Sequence, residues 1–193
     1  IATGSRPAVL PFAPKSKKIL DSTAALKLEE IPKRLFIVGG GIIGLEMACV
    51  YSELGSQVSI IELSSKLMDG ADRDLVRPLE NKLKNKLEAI YKTTRVEAIE
   101  ETEEGLILTL KGDSVPERIA CDAVLVATGR LPNIDGIGLK KLGIQISDEG
   151  YIVVNKELRT SATNIFAVGD VIGNPMLAHK SSYQGKVAAE VAA

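Results

Sequence analysis

The sequence predicts an α/β fold that contains a Rossmann-like, three-layer domain. Two short runs, the apolar residues 35–38 and the mostly apolar residues 58–61, are typical of buried parallel strands. Between them, apolar side chains recur at helical spacing from Ile42 to Leu54, and Gly55 stands where a left-handed cap ends a helix. Strand, helix and strand in this order form a βαβ unit.

A second crossover helix is predicted over residues 72–86. Its inward face is expected to consist of three leucines at helical spacing, Leu75, Leu79 and Leu83. Pro78 conflicts with a helix that starts at Asp72, because a proline ring clashes with the carbonyl four residues back. Either the first turn is irregular or the helix begins near Val76.

The remaining elements are shorter and follow this helix. Alternating apolar residues predict a small β-meander with strands at residues 90–99, 106–110 and 118–120. An apolar run predicts a further buried strand at residues 123–126. From Arg130 onward, glycines and prolines indicate a domain boundary. Beyond it, two strands are expected at residues 152–154 and 165–168, and a C-terminal helix at residues 187–193.

Composition and charge narrow the class of protein. Apolar residues make up 45% and charged residues 25% of the 193 positions, which is ordinary for a globular protein. The 24 lysines and arginines balance 25 acids, so we expect no attraction to nucleic acid or to a membrane surface. No apolar run approaches the roughly 20 residues of a membrane span, and no signal segment is recognisable, so a cytoplasmic protein is expected. Cys49 and Cys121 lack a metal or redox spacing and are predicted to be core residues.

A glycine motif, Gly39-x-Gly41-x-x-Gly44, follows the first predicted strand and opens the first helix. In a dinucleotide-binding turn the first glycine makes the tight turn, the second lets the backbone approach a pyrophosphate, and the third lets the helix pack on the strand. The helix that follows presents free N–H groups to the phosphates. The alternative is a merely tight connection between strand and helix.

Glu62 ends the second strand, roughly 20 residues after the glycines, where such domains place an acid that binds the adenosine ribose. A carboxylate there repels the 2′-phosphate of NADP, and no arginine occupies residues 63–65 to neutralise that phosphate. The pattern therefore predicts NAD. The competing interpretation is an exposed surface acid.

Three other polar residues give weaker signals on physical grounds. Glu46 lies in the first turns of the helix, where a carboxylate interacts favourably with the helix dipole. His179, the single histidine, has no recognisable catalytic partner. Asp170 follows a strand and a glycine, which fits either a sugar-binding carboxylate or an ordinary turn.

Five motifs occur along the chain: Ala2-Thr3-Gly4-Ser5, Gly39-Gly40-Gly41-Ile42-Ile43-Gly44-Leu45-Glu46, Val126-Ala127-Thr128-Gly129-Arg130, residues 165–170, and Pro175-Met176-Leu177-Ala178-His179-Lys180. Together they resemble the flavin-dependent pyridine-nucleotide disulfide oxidoreductases, and within these the bacterial dihydrolipoamide dehydrogenases. The last motif makes that distinction, since it is unlike glutathione reductase.

The resemblance implies three segments and two cofactors. Residues 1–20 would be the exit from an FAD domain with a linker, 21–127 an NAD domain, and 128–193 the returning FAD segment. Residues expected to line NAD are Gly39, Gly40, Gly41, Ile42, Ile43, Gly44, Leu45, Glu46, Glu62, Val96 and Gly129. Residues expected to contact FAD are Thr3, Gly4, Ser5, Asp170, Met176, Leu177, Ala178 and His179. Ile42 would cover the flavin, and Glu46 would lie near its N5 atom.

The implied activity belongs to a longer protein. Such enzymes pass electrons from protein-bound dihydrolipoamide through a redox disulfide and FAD to NAD. They act as homodimers on the lipoyl-bearing subunit of 2-oxoacid dehydrogenase or glycine cleavage complexes. The FAD glycine motif, the C-x-x-x-x-C pair and the dimer domain with its catalytic histidine and glutamate do not occur in this sequence. We therefore expect an internal fragment, inactive alone, with no catalytic residue and no metal site.

Two alternatives remain open at this stage. One is the corresponding part of another NADH-linked flavoprotein, such as an NADH oxidase, a transhydrogenase or a mercuric reductase. The other is a stand-alone nucleotide-binding module. An upstream C-x-x-x-x-C motif would favour a disulfide reductase, whereas a native product near 20.6 kDa would favour the module.

Overall fold

The chain forms two compact units in the computed structural model, which describes residues 1–113 and 115–193. We call Pro7–Gly129 the sheet unit, and Ile1–Arg6 together with Arg130–Ala193 the terminal unit. The sequence interpretation placed the boundaries after residues 20 and 127. In the structure they fall after residues 6 and 129. The first boundary lies earlier than predicted because the strand Ile19–Leu20 belongs to the sheet of the sheet unit.

Ten strands and four α-helices occur among the described residues. The strands are β1 (Ser5–Pro7), β2 (Ile19–Leu20), β3 (Arg34–Val38), β4 (Gln57–Ile61), β5 (Ala89–Tyr91), β6 (Thr94–Thr102), β7 (Gly105–Gly112), β8 (Arg118–Cys121), β9 (Ala123–Val126) and β10 (Arg130–Pro132). The helices are α1 (Ser22–Lys27), α2 (Ile42–Glu53), α3 (Arg73–Lys84) and α4 (Ala178–Ala192). Two 3₁₀ turns cover Leu139–Leu142 and Gly169–Ile172.

A five-stranded parallel sheet in the order β2-β9-β3-β4-β5 forms the middle layer of the sheet unit. Alternate residues of β3 face opposite sides, as the two-residue period of a strand requires. Leu35 and Ile37 pack in a cluster with α2 and α3, whereas Phe36 and Val38 pack in a cluster with the β6-β7-β8 meander. Helices, sheet and meander are the three layers that the sequence predicted.

Helix α2 confirms the first predicted helix closely. It ends at Glu53, and Gly55 follows with φ of +97°, a backbone conformation that glycine adopts without steric cost. Its inner face is wholly uncharged and consists of Gly44, Leu45, Met47, Ala48 and Tyr51.

The inner face of helix α3 differs from the predicted one. The residues it buries are Val76, Glu80 and Leu83, at i, i+4 and i+7, whereas Leu75 is 74% exposed. The helix starts at Arg73, so a start near Val76 is wrong, and Pro78 lies inside it. At the start of the helix, the N–H groups of residues 75 and 76 both donate to the Asp72 carbonyl at 3.1 Å, a mixture of 3₁₀ and α-helical bonds that is frequent at helix ends.

The meander is shorter than predicted at its start. Ile90 does not belong to it, because this residue lies in β5 and pairs in parallel with Ile60 of the main sheet. Thr93, with φ of +51°, separates β5 from β6. The other meander strands and the buried strand β9 lie where the sequence predicted them.

The terminal unit is less regular than the sequence indicated. The two strands expected at residues 152–154 and 165–168 occur only as isolated bridges, Ile146 with Ile152 and Arg159 with Phe166. Strands β1 and β10 pair with each other and were not predicted. Helix α4 starts at Ala178, nine residues before the predicted helix at residue 187, and buries none of its side chains.

The two cysteines are free, and the prediction that they are core residues is confirmed for Cys121 but only in part for Cys49. Cys121 is fully buried between sheet and meander, and burial raises the pKa of its thiol to about 12. Cys49 is half-buried against the cluster beneath α2. In the part of the chain that the structure describes, no helix is both long and apolar enough to cross a membrane.

Candidate functional site

The turn from β3 into α2 brings the three motif glycines together, and each has a distinct steric reason. A Cβ on Gly39, whose φ is +114°, would lie 2.3 Å from the Ala127 carbonyl oxygen. A Cβ on Gly44 would lie 2.0 Å from the Gly39 carbonyl oxygen, so the helix touches the strand at this point. A Cβ on Gly41 would meet no described atom within 4 Å. The first and third glycines therefore serve packing, and the second leaves open space in front of the α2 amino end.

Glu62 lies beside this turn and is fixed by two hydrogen bonds. Its Oε2 accepts from the Gly40 N–H at 2.6 Å, and its Oε1 accepts from the Ser64 N–H at 2.7 Å. A carboxylate has about four acceptor sites, so two remain for a ligand hydroxyl. The structure thus places the predicted acid at the glycine turn in a defined orientation.

Gly40 stands at a variable position of the motif but is tightly enclosed. A Cβ here would lie 2.5 Å from Leu67 Cδ2 and 3.0 Å from Glu62 Oε2. Its carbonyl accepts from the Met68 N–H at 2.9 Å. Sequence reasoning missed Leu67 entirely, since nothing in a single leucine signals contact with a glycine turn.

Other residues predicted to line NAD have different exposures. Among the residues on α2, Ile42 is 51% exposed, Glu46 is exposed and Ile43 is half-buried, whereas Leu45 is buried. Only the backbone of Val96 could face a ligand, because its side chain is 5% exposed within the cluster beneath the meander.

Gly129 is exposed with φ of +141°, and its carbonyl accepts from the Ala8 N–H at 3.0 Å. Contact between a nucleotide and the α2 residues, Val96 or Gly129 stays a prediction.

The terminal unit brings two of the predicted FAD residues into direct contact. The Ser5 hydroxyl donates to Asp170 Oδ2 at 2.6 Å. Arg130 donates from Nε to the Ser5 hydroxyl at 2.6 Å and from Nη2 to the Ser5 carbonyl at 2.9 Å. Thr3 donates to the Asn133 carbonyl, and the Gly4 carbonyl accepts from the Asn133 N–H. Arg130 ends the motif at residues 126–130 but was not among the predicted site residues.

The Met176–His179 segment lies at the start of α4. Met176 and Leu177 are half-buried, while Ala178 and His179 are exposed. The neighbouring Lys180 donates to the Gly173 carbonyl at 2.5 Å, and burial lowers the pKa of its ammonium group while Asp170 opposes that shift.

The family comparison agrees with this geometry. The family description "Pyridine nucleotide-disulphide oxidoreductase" matches residues 1–185. The chain belongs to this family. The match covers the sheet unit and nearly all of the terminal unit, so the glycine turn and the Ser5–Asp170 contact both lie inside it.

Curated relatives in this family are named dihydrolipoyl dehydrogenase. The chain is 46% identical to the one from Vibrio cholerae over 193 residues, and 42% identical to the one from Geobacillus stearothermophilus. These matches cover 99% and 100% of this chain but only 40% and 41% of the relatives. The chain thus spans about two fifths of their length, in agreement with the expectation of a segment of such an enzyme.

Solved structures of the family have the same fold. The LpdA protein of Mycobacterium tuberculosis matches 99% of this chain and 41% of its own, with a TM-score of 0.89 and 30% identity. The flavoprotein disulfide reductase RclA of Escherichia coli matches 98% of this chain and 44% of its own, with a TM-score of 0.88 and 31% identity. A water-forming NADH oxidase of Lactobacillus brevis, at 24% identity and a TM-score of 0.85, shows likeness of fold alone.

Proposed function

We propose that the sheet unit binds NAD at the glycine turn. The single observation that carries this proposal is the combination of open space at Gly41 with the carboxylate of Glu62, which is held in place by the N–H of the neighbouring Gly40. A pyrophosphate fits in front of the first turn of α2, where backbone N–H groups lack partners within the helix. The ribose hydroxyls of adenosine fit the remaining acceptor sites of Glu62.

Preference for NAD over NADP follows from the same carboxylate. A 2′-phosphate beside Glu62 would bring two negative groups together. Both Glu62 oxygens are held by backbone N–H groups, so the side chain does not swing away without losing two hydrogen bonds. We therefore expect the chain to bind NADH more tightly than NADPH.

The test is a fluorescence titration of the 193-residue chain with NADH and with NADPH. Replacing Glu62 by alanine should weaken NADH binding, since hydrogen bonds to a charged group contribute about 1.5–3 kcal/mol each at most. Exposed Glu88, just before β5, provides the control, and Glu88→Ala should bind NADH like the parent. Equal NADH affinity in Glu62→Ala and the parent would contradict the assignment of Glu62.

We further propose that the whole protein is a dihydrolipoyl dehydrogenase that acts on a lipoyl-bearing subunit as a homodimer. Support comes from the curated relatives at 46% and 42% identity. In such an enzyme, bound FAD and NAD supply the electron transfer from the redox disulfide to the nicotinamide. In this chain, Asp170 fits a role toward FAD, because one carboxylate oxygen is held by Ser5 and the other accepts no hydrogen bond from the described residues.

Dihydrolipoamide-dependent NADH formation by the full-length protein tests this assignment. An NADH oxidase, one of the alternatives left open by the sequence, is the second candidate. Oxygen-dependent consumption of NADH without any response to lipoamide would replace the first assignment by the second.

A further inference from the structure

The inner face of α3 contains a buried carboxylate, that of Glu80. The residue is 5% exposed and lies between Val76 and Leu83, two apolar residues of the core. A charge at such a position costs stability unless cations and hydrogen bonds compensate for lost water. The surroundings of Glu80 should therefore explain why a glutamate rather than a leucine occupies the face.

Three cations surround this carboxylate. Lys92 donates to Oε1 at 2.7 Å, Lys84 lies 3.3 Å from the same oxygen, and Arg73 lies 3.5 Å from Oε2. Lys84 and Arg73 belong to the same helix, Arg73 at its first turn, whereas Lys92 lies in the β5–β6 connection. Glu80 thus joins the start of α3 to the β5–β6 connection.

Each segment in turn contacts the glycine turn or Glu62. After Lys92, the Thr93 N–H donates to the Ser64 carbonyl at 3.0 Å and the Thr94 N–H donates to the Glu62 carbonyl at 2.9 Å. These two bonds fix the backbone that carries the Glu62 side chain.

On the other side, Arg73 reaches the Leu67 carbonyl at 3.5 Å. Leu67 is fully buried and packs over Gly40, and the next residue, Met68, donates its N–H to the Gly40 carbonyl. The β5–β6 connection therefore contacts Glu62, and the residues before α3 contact Gly40.

We propose that Glu80 is a positioning residue for the adenosine end of the nucleotide site, acting through Lys92 and Arg73 on the segments that hold Glu62 and Gly40. This inference rests on the proposed binding of NAD. Glu80 does not touch the nucleotide itself. Loss of the Glu80 charge loosens the β5–β6 connection and the residues before α3. It does not displace the amino end of α2, which binds the pyrophosphate in the proposed site.

The test uses Glu80→Gln in the 193-residue chain, with three ligands. NADH and 5′-AMP contain the adenosine ribose, whereas reduced nicotinamide mononucleotide does not. We expect the Kd values of NADH and 5′-AMP to rise together by about tenfold, the loss of one moderate interaction, with no change for the mononucleotide. Glu53→Gln is the matched control, because it removes an exposed partner of Lys86 at the far end of α2, and all three Kd values should stay as in the parent.

Lys92→Met removes the other partner of the same contact, the ammonium group that donates to Glu80. If Glu80 acts through Lys92, this variant shows the same split between ligands, and the double variant is no worse than either single one. It also keeps the inference testable if Glu80→Gln does not fold.

Unchanged Kd values in both single variants would overturn the inference while leaving NAD binding intact. Equal weakening of the mononucleotide and 5′-AMP would also overturn it, because a general loss of structure would then explain the effect. A parent chain that binds neither NADH nor 5′-AMP would overturn the proposed function, and the inference with it.

Discussion

Helices α2 and α3 both cross the same face of the parallel sheet, yet they contact it by different means. α2 approaches β3 through the absence of a side chain, since Gly44 lies directly against the Gly39 carbonyl. α3 includes a charge in its inner face, and through Glu80 it contacts Lys92, which lies outside the helix. Close approach fixes the pyrophosphate end of the proposed site, whereas the ionic contacts fix the ribose end. The difference indicates that the proposed nucleotide site is supported by steric fit at one end and by charge at the other.

The largest expected effect would come from breaking the close approach of α2. In Gly44→Ala the new Cβ would lie 2.0 Å from a backbone oxygen, which has no freedom to move aside. We expect a loss of about 3 kcal/mol or more, or failure of the sheet unit to fold, measured by urea unfolding. Gly41→Ala is the control because its Cβ enters open space. It should cost less than about 1 kcal/mol of stability but weaken NADH binding.

If Gly44→Ala and Gly41→Ala were equally stable, the claim that α2 packs on the sheet through close approach at Gly44 would be wrong. If Gly41→Ala bound NADH like the parent, the open space at Gly41 would have no connection with a pyrophosphate. These two outcomes are independent, since one concerns folding and the other concerns the ligand.

The next effect concerns which residues of α3 face the core. Leu83 is 1% exposed and Leu75 is 74% exposed, although the sequence pattern assigned both to one face. Leu83→Ala should lower the free energy of unfolding by about 2–5 kcal/mol, through lost burial and a cavity. Leu75→Ala, the same substitution two turns earlier, should change it by less than about 0.5 kcal/mol. A large loss in Leu75→Ala would show that α3 is rotated relative to the structure described above.

The sequence predicted the elements whose signals are local. Strands β3 and β4 and helix α2 have continuous or periodic apolar patterns, and Glu62 lies at a set distance from the glycines. The inner face of α3 could not be predicted in this way, because a glutamate is normally exposed and its partner Lys92 is twelve residues away. Only the folded arrangement shows that the charge is compensated.

The same physical reason explains the other differences. Ile90 continues an alternating pattern, so nothing local reveals that Thr93 breaks the strand with a positive φ. In the terminal unit, the Ile1 amino group donates to the Phe166 carbonyl, 165 residues away. Contacts of that separation have no periodicity, and the expected regular strands there were therefore not found.

The smallest expected effect lies in the pH dependence of stability. The hydrogen bond from Lys92 holds the pKa of the Glu80 carboxyl below its ordinary value of 4.5, against the opposing effect of burial. The unfolded chain then binds a proton more readily than the folded one between the two pKa values, so stability falls as the pH drops through this range. Above the ordinary value the contribution is fully present. Unfolding by urea at several values between pH 3 and 6, a range of about three units around the unperturbed pKa, should show a shallower acid decline in Glu80→Gln than in the parent. Parallel curves for the two proteins would mean that the Glu80 carboxyl titrates alike in the folded and the unfolded chain. The ionic contacts of α3 would then contribute nothing to stability, and the contrast with α2 would be lost.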